Sequence, residues 1–169
     1  RHALAGDHRV RAFGLIDTEQ STGVGWKFKS FVIGGRMPGF GAILGWLVGR
    51  PRLRRNGLAF GDVFLDRSLL DGEFDEFFLR PLHRSRVHRD AAIRLLRSFD
   101  FQFVRDLGAL HRKIEVPVVL VWGEQDRFFP VKRAREMVAD FPDARLEVIA
   151  DAGLFSHEER PAEVAAALL

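Results

Sequence analysis

IEVPVVLVWGEQDRFFPVKRAREMVADFPDARLEVIADAGLFSHEERPAEVAAALL, residues 114–169, decides the fold. Pro117 introduces the β-branched, apolar run VVLVW (118–122), which suits a strand covered on both faces in a parallel sheet. GEQD (123–126) turns the chain at the carboxyl end of that strand. Pro130 fits the first turn of a helix whose Val131, Ala134, Met137, Val138 and Phe141 share one apolar face. Pro142 and Asp143 stop it, LEVIA (146–150) forms the next strand, and ADAG (150–153) leads into a closing helix with Pro161 near its start. Strands alternating with helices imply a parallel sheet and an α/β fold.

Outward toward the amino terminus, residues 1–7 read as the last turn of a helix stopped by Gly6, and VRAFGLI (10–16) as a third buried strand. Asp17 stands at the carboxyl end of that strand, where open α/β sheets place their ligands. A turn or cap role is the plainer reading of this residue. Ser, Thr and Gly at 21–23 mark a linker out of the sheet, and the block from there to about Lys113 reads as helices at 26–33, 40–48, 73–82, 87–99 and 101–110.

Phe74, Phe77, Phe78 and Leu82 fall on one helical face, and so do Ala91, Ala92, Leu95, Leu96 and Phe99. Ser85 and Asp71 are placed to cap such runs. The expected organisation is a sheet core from residues 1–19 and 114–169 with a helical cap, 20–113, inserted between its strands.

Composition narrows the function. At 169 residues, with 47% hydrophobic and 29% charged residues, the chain is long enough for one globular core. Without cysteine it has no disulfide framework or thiolate metal site, which fits a reduced, cytoplasmic setting. All but four of its 26 basic residues are arginines, clustered at Arg50, Arg52, Arg54 and Arg55 and at Arg80, Arg84, Arg86 and Arg89. Without base-reading motifs, and with acids nearly as numerous, these clusters read as a solvated face of the cap and not as a nucleic-acid surface. The most apolar window, 31–49, carries Arg36, Pro38 and repeated glycines, so no membrane span is expected. No histidine spacing suits a metal, and no Gly-rich loop followed by Lys-Ser/Thr suits a phosphate, so no cofactor is expected.

The turns after the last two strands carry Asp126 and His157, which adjacent parallel strands would bring to one edge of the sheet. An ionised aspartate accepting the imidazole N–H fixes its tautomer and stabilises the imidazolium, two parts of a nucleophilic hydrolase site.

PVVLVWGEQDRFFPV, FPDARLEVI and AGLFSHEERPAEVAAALL, together with VRAFGLIDTE and the helical insertion after it, resemble the carboxyl-terminal part of the α/β-hydrolase family. The likeness is to its capped branch, which includes haloalkane dehalogenases and epoxide hydrolases. It implies an α/β-hydrolase sheet with an inserted cap, and hydrolysis of a small apolar ester, epoxide or halide through a covalent intermediate. It also puts the catalytic acid at Asp126, by the Gly-x-x-Asp turn at 123–126, with no cofactor and a small-molecule substrate as the partner, and leaves the oligomeric state open.

The chain departs from the family pattern at two places. It contains no Gly-x-Ser-x-Gly or Gly-x-Asp-x-Gly elbow for the nucleophile, and it begins with Arg1, so the expectation is an incomplete chain whose elbow lies upstream and which is inactive alone. The family's histidine directly follows the Gly of the last turn, where this sequence has Leu154; His157 comes about one helical turn later. Two readings of His157 stand: a displaced base, or a packing residue beside a Ser156/Glu159 capping box in a non-catalytic relative that binds a ligand or partner through its cap.

Overall fold

β1 (Phe13–Ile16), β2 (Val118–Gly123) and β3 (Ala144–Ile149) form a fully parallel sheet in the order β1-β2-β3, as described by a computed structural model covering Asp7 and Arg9–Leu169. The expected helix end at residues 1–7 lies, apart from Asp7, outside the described residues. β2 takes the centre because it is the most continuously apolar strand: Val118, Leu120, Val121 and Trp122 are all buried. Its register sets Ile16 beside Val121 and Gly123 beside Ile149, so all three carboxyl ends lie along one edge.

Two compact units emerge. One holds the segment ending at Gly25 together with Asp100–Leu169; the other is Trp26–Phe99. The helical unit is thus narrower than the expected 20–113 at both ends, for identifiable reasons. The Gln20 side chain donates to the carbonyl of Pro130 (2.9 Å), and Ser21 bonds to Asp140. After Asp100, whose side chain caps α6 (Phe101–His111), buried His111 stacks on Phe141 with ring centroids 4.1 Å apart.

In the sheet unit, α7 (Val131–Met137) follows Pro130 as its spacing predicts and buries Ala134 and Met137. The short α8 (Ser156–Glu159) leads into α9 (Pro161–Leu168), where Val164 packs with Val121, Ile149 and Ala152. Trp122 is wholly buried, and its indole N–H donates to the carbonyl of Phe129 (2.6 Å).

The helical unit contains α1 (Trp26–Arg36), α2 (Phe40–Val48), α3 (Pro51–Arg54), α4 (Arg80–Arg84) and α5 (Arg86–Ser98). The apolar window at 31–49 is broken between α1 and α2, where Gly39 takes φ 78°, and among the described residues no helix is long and apolar enough to cross a membrane. Ser85 caps α5 by accepting from the amide of His88, as expected, whereas Asp71 caps no α-helix and instead pairs with Arg54 and Arg55.

The face expected at 73–82 is redistributed. Asp75–Leu79 forms a π-turn, whose wider winding shifts the phase of the side chains, so Leu79 is buried while Phe77 and Phe78 are exposed. In α5, Ile93 is the buried position and Leu95 is exposed, because the close approaches run along Arg89, Ile93 and Leu96. Nor is the first arginine cluster wholly solvated: Arg54 is buried and reaches Asp71 (2.7 Å) and Asp75 (2.5 Å), tying α3 to the turns that follow it.

Candidate functional site

Three strand ends supply the site. β1 closes on Asp17, which adopts φ 37° and whose amide continues the ladder to the carbonyl of Val121 (3.1 Å). β2 ends in the 123–126 turn, held to the third strand end by Glu124 N–H to Ile149 (2.9 Å) and Gln125 N–H to Ala152 (3.0 Å). Gly123 is required at that contact: a Cβ there would stand 2.1 Å from the carbonyl oxygen of Gly153.

Asp126 is buried, with one oxygen, Oδ1, accepting from the amides of Phe128 (2.7 Å) and Phe129 (2.9 Å). This side chain turns the chain into α7, since the amide of the residue before Pro130 has no helical acceptor of its own. The other oxygen, Oδ2, is buried without a hydrogen-bond partner. Burial pushes the Asp126 carboxyl up to about 7; the Phe129 and Phe128 amides oppose the rise and the charge of Asp17 adds to it. The burial that fixes the carboxyl in place thus also favours its neutral form relative to an exposed aspartate.

His157 does not meet it. Its side chain lies on the first turn of α8, 45% exposed, with Nε2 3.9 Å from the Glu158 carboxylate and its ring edge-on to Phe155. The cause is the residue before it. Ser156 donates both its amide (3.2 Å) and its hydroxyl to Oδ2 of Asp17, and the next residue of a helix points about 100° away, here to solvent. Leu154, half-buried, occupies the position directly after Gly153.

The capping-box reading is corrected as well. Ser156 is the first residue of α8 and not its cap, and Glu159 accepts from the amide of Gly153 (2.5 Å).

Asp17 is the residue whose importance the plainer reading missed. Its Oδ1 accepts from the amide of Gly123 (2.7 Å) and its Oδ2 from Ser156, so one buried carboxyl joins all three strand ends. Burial pushes it up to about 6, against the bonds from Ser156 and Gly123, and the Glu159 charge adds to the rise. Its place at a strand end was the available signal; its partners, far along the chain, were not.

A serine, an acid and a histidine also meet below α6, where Ser21 bonds to Asp140 and His111 Nδ1 lies 3.8 Å from the same carboxylate. There the serine donates to the acid and not to the imidazole, and the ring is wholly buried, so the trio is structural. Among the described residues no group of three His, Cys, Asp or Glu is placed to hold a metal.

The parallel order, the Gly-x-x-Asp turn after β2 and the residues after β3 find their counterpart in known proteins: residues 3–167 match the alpha/beta hydrolase family. The chain belongs to that family. Among its relatives, the uncharacterized hydrolase YugF of Bacillus subtilis is 29% identical over 100 residues, covering 59% of this chain and 35% of its own length. The 2-hydroxy-6-oxononadienedioate/2-hydroxy-6-oxononatrienedioate hydrolase of Klebsiella pneumoniae is 30% identical over 97 residues, 57% of this chain and 33% of its own.

Two solved structures share the fold. MGS-M2, an α/β hydrolase from a Medee basin deep-sea metagenome library, has TM-score 0.70 at 18% identity, covering 98% of this chain and 58% of that one. The 2-hydroxy-6-oxo-6-phenylhexa-2,4-dienoate hydrolase of a Rhodococcus strain has TM-score 0.72 at 14% identity, covering 99% and 57%. The matched part of the chain spans about a third of the length of these curated relatives. The likeness that these comparisons show is to the family as a whole.

Proposed function

We propose that the protein is a hydrolase of a small, apolar substrate that works through a covalent intermediate, with Asp126 as the acid that orients the catalytic base. The observation that carries this reading is the half-satisfied carboxyl of Asp126. Two amides hold Oδ1 rigid, while Oδ2 is buried with no donor. A buried acceptor without a partner costs about 1–3 kcal/mol, and an imidazole N–H is the donor such a site takes in nucleophilic hydrolysis.

His157 is the histidine of the neighbouring turn. It serves as base only if Ser156 releases Asp17 and α8 rewinds, so this proposal includes an opening of residues 154–157. Sequence reasoning left ester, epoxide and carbon–halogen bonds as substrates. The dioate and dienoate hydrolases among the relatives lend weight to a carbonyl substrate. A cysteine-free composition suits a cytoplasmic enzyme.

A second reading has its own observation. Leu154 stands where the family's base would follow Gly153, and the burial of Asp126 favours its neutral form, which needs no cationic partner; both favour a non-catalytic relative that binds its ligand without turnover.

Turnover of p-nitrophenyl butyrate, an epoxide and a haloalkane by the full-length protein separates the two. Under the hydrolase reading one of these is consumed, and Asp126→Asn and His157→Ala each lower kcat at least about tenfold. Activity unchanged by His157→Ala retires that residue as base. Absence of turnover for all three substrates, with an intact fold, favours the binding reading.

A further inference from the structure

The glycines of α2 allow α5 to approach closely. A Cβ at Gly41 would stand 3.4 Å from Ile93, and one at Gly45 2.7 Å from Cδ of Arg89. Beside this contact, wholly within the helical unit, lies a depression of about 480 Å³ between the Met37–Ala42 segment and α5. That volume is in the range of small-molecule sites, roughly 300–1,000 Å³. Its apolar wall comes from Met37, Phe40 and Ile93. Arg86, Arg89, Arg94 and Arg97 surround it, and Asp90 is the single acid of its lining.

Two of these guanidinium groups are held in place. Arg89 donates to the carbonyls of Leu82 (3.0 Å) and His83 (2.7 Å), and Arg97 to that of Gly35 (2.8 Å). Carbonyl bonds orient a guanidinium without neutralising it, and each leaves further N–H donors of the five available. Arg86 reaches Asp90 only at 3.6 Å, and Arg94 is exposed and pairs with no acid among the described residues. Four cations against the single carboxylate of Asp90 leave the concavity net positive, and a fork of donors beside an apolar wall matches a carboxylate on a hydrophobic body.

We propose that this depression binds a small organic carboxylate, its anionic head among the arginines of α5 and its apolar body against Phe40 and Ile93. All of its lining belongs to the helical unit, and the proposal does not rest on the hydrolase reading.

The test titrates 2-naphthoate into the isotope-labelled protein and follows backbone amide signals by NMR. Its arms are 2-naphthylmethanol, of like shape without the charge, and inorganic phosphate, charged without the apolar body. Saturable shifts at Gly39 and Gly41, with naphthoate at least about tenfold tighter than either control, support the site. Arg94→Gln and Arg86→Gln should each weaken naphthoate about three- to tenfold while leaving the remaining spectrum in place, and Arg145→Gln, in the sheet unit, should not. Alcohol or phosphate binding as tightly as naphthoate, shifts confined to other residues, or indifference to both α5 substitutions overturns the proposal. If a variant misfolds, the salt dependence of naphthoate binding by the unaltered protein decides: affinity unchanged from 20 mM to 500 mM NaCl would exclude arginine capture.

Discussion

Ser156 donates its amide and its hydroxyl to a single oxygen of Asp17, across 139 residues of chain. Removing the Asp17 carboxyl leaves those two donors and the buried amide of Gly123 without acceptors. Asp17→Ala is therefore expected to cost about 2–4 kcal/mol and Ser156→Ala about 1–2 kcal/mol. The double variant should cost less than the sum, as residues in one network do. Urea unfolding of the four proteins checks both the losses and the coupling.

Stability should fall as pH rises through neutrality. Asp17 and Asp126 hold their protons more tightly when folded, with values raised to about 6 and about 7, than in the unfolded chain, near 3.9. The folded state thus carries the proton excess between about pH 4 and pH 7. Their contribution is complete below about pH 4 and is lost as pH climbs through 6 and 7. Asp126→Asn removes one buried charge, so above pH 7 this variant should regain at least about 1 kcal/mol relative to its standing at pH 5. Urea midpoints measured from pH 4.5 to 8.5 test the slope; a parallel pair of curves would refute it.

Placing an imidazole directly after Gly153 should satisfy Asp126. In Leu154→His the introduced ring is expected to donate to the orphan Oδ2, its own pKa rising above the ordinary 6.5 or so while the carboxyl falls below about 7. NMR titration reads both. A ring titrating at its ordinary value would show that position 154 does not reach the acid.

Gly123→Ala should be among the most damaging small substitutions. Its methyl would meet the Gly153 oxygen at 2.1 Å and the Ala152 oxygen at 2.7 Å, both backbone atoms with no rotamer to yield. A loss of about 3 kcal/mol or more is expected in thermal or urea unfolding.

Arg54 offers the equivalent test in the helical unit. Buried between Asp71 and Asp75, it takes one of two cationic partners from each carboxylate when replaced by alanine, leaving Arg55 on Asp71 and Arg80 on Asp75. Arg54→Ala should cost about 3 kcal/mol, and adding Asp75→Ala should recover part of the loss. Unfolding of the single and double variants decides.

Much of the architecture is legible because it is written in local patterns. VVLVW can hardly be other than a buried strand, and Pro130 and Pro161 mark helix starts that the structure keeps. Phases within helices are less legible: nothing in EFDEFFL announces the π-turn that sends Phe77 and Phe78 outward. At the site, Asp126 is placed by its turn, whereas its raised pKa depends on burial by the whole unit. The outward set of His157 was beyond reach of spacing, because the bonds that turn α8 come from Asp17, at the other end of the fold.

The separation of β1 from its partner has a kinetic consequence. β2, α7 and β3 are consecutive and close through short loops, while Asp17 must find Gly123 across 106 residues, after the intervening helices have shortened that span. Hydrogen-exchange protection is therefore expected to appear first along β2 and β3, with β1 docking late. The carboxyl of Asp17 then acts as a latch that closes after the rate-limiting step, so its loss should quicken unfolding while leaving the refolding rate nearly untouched.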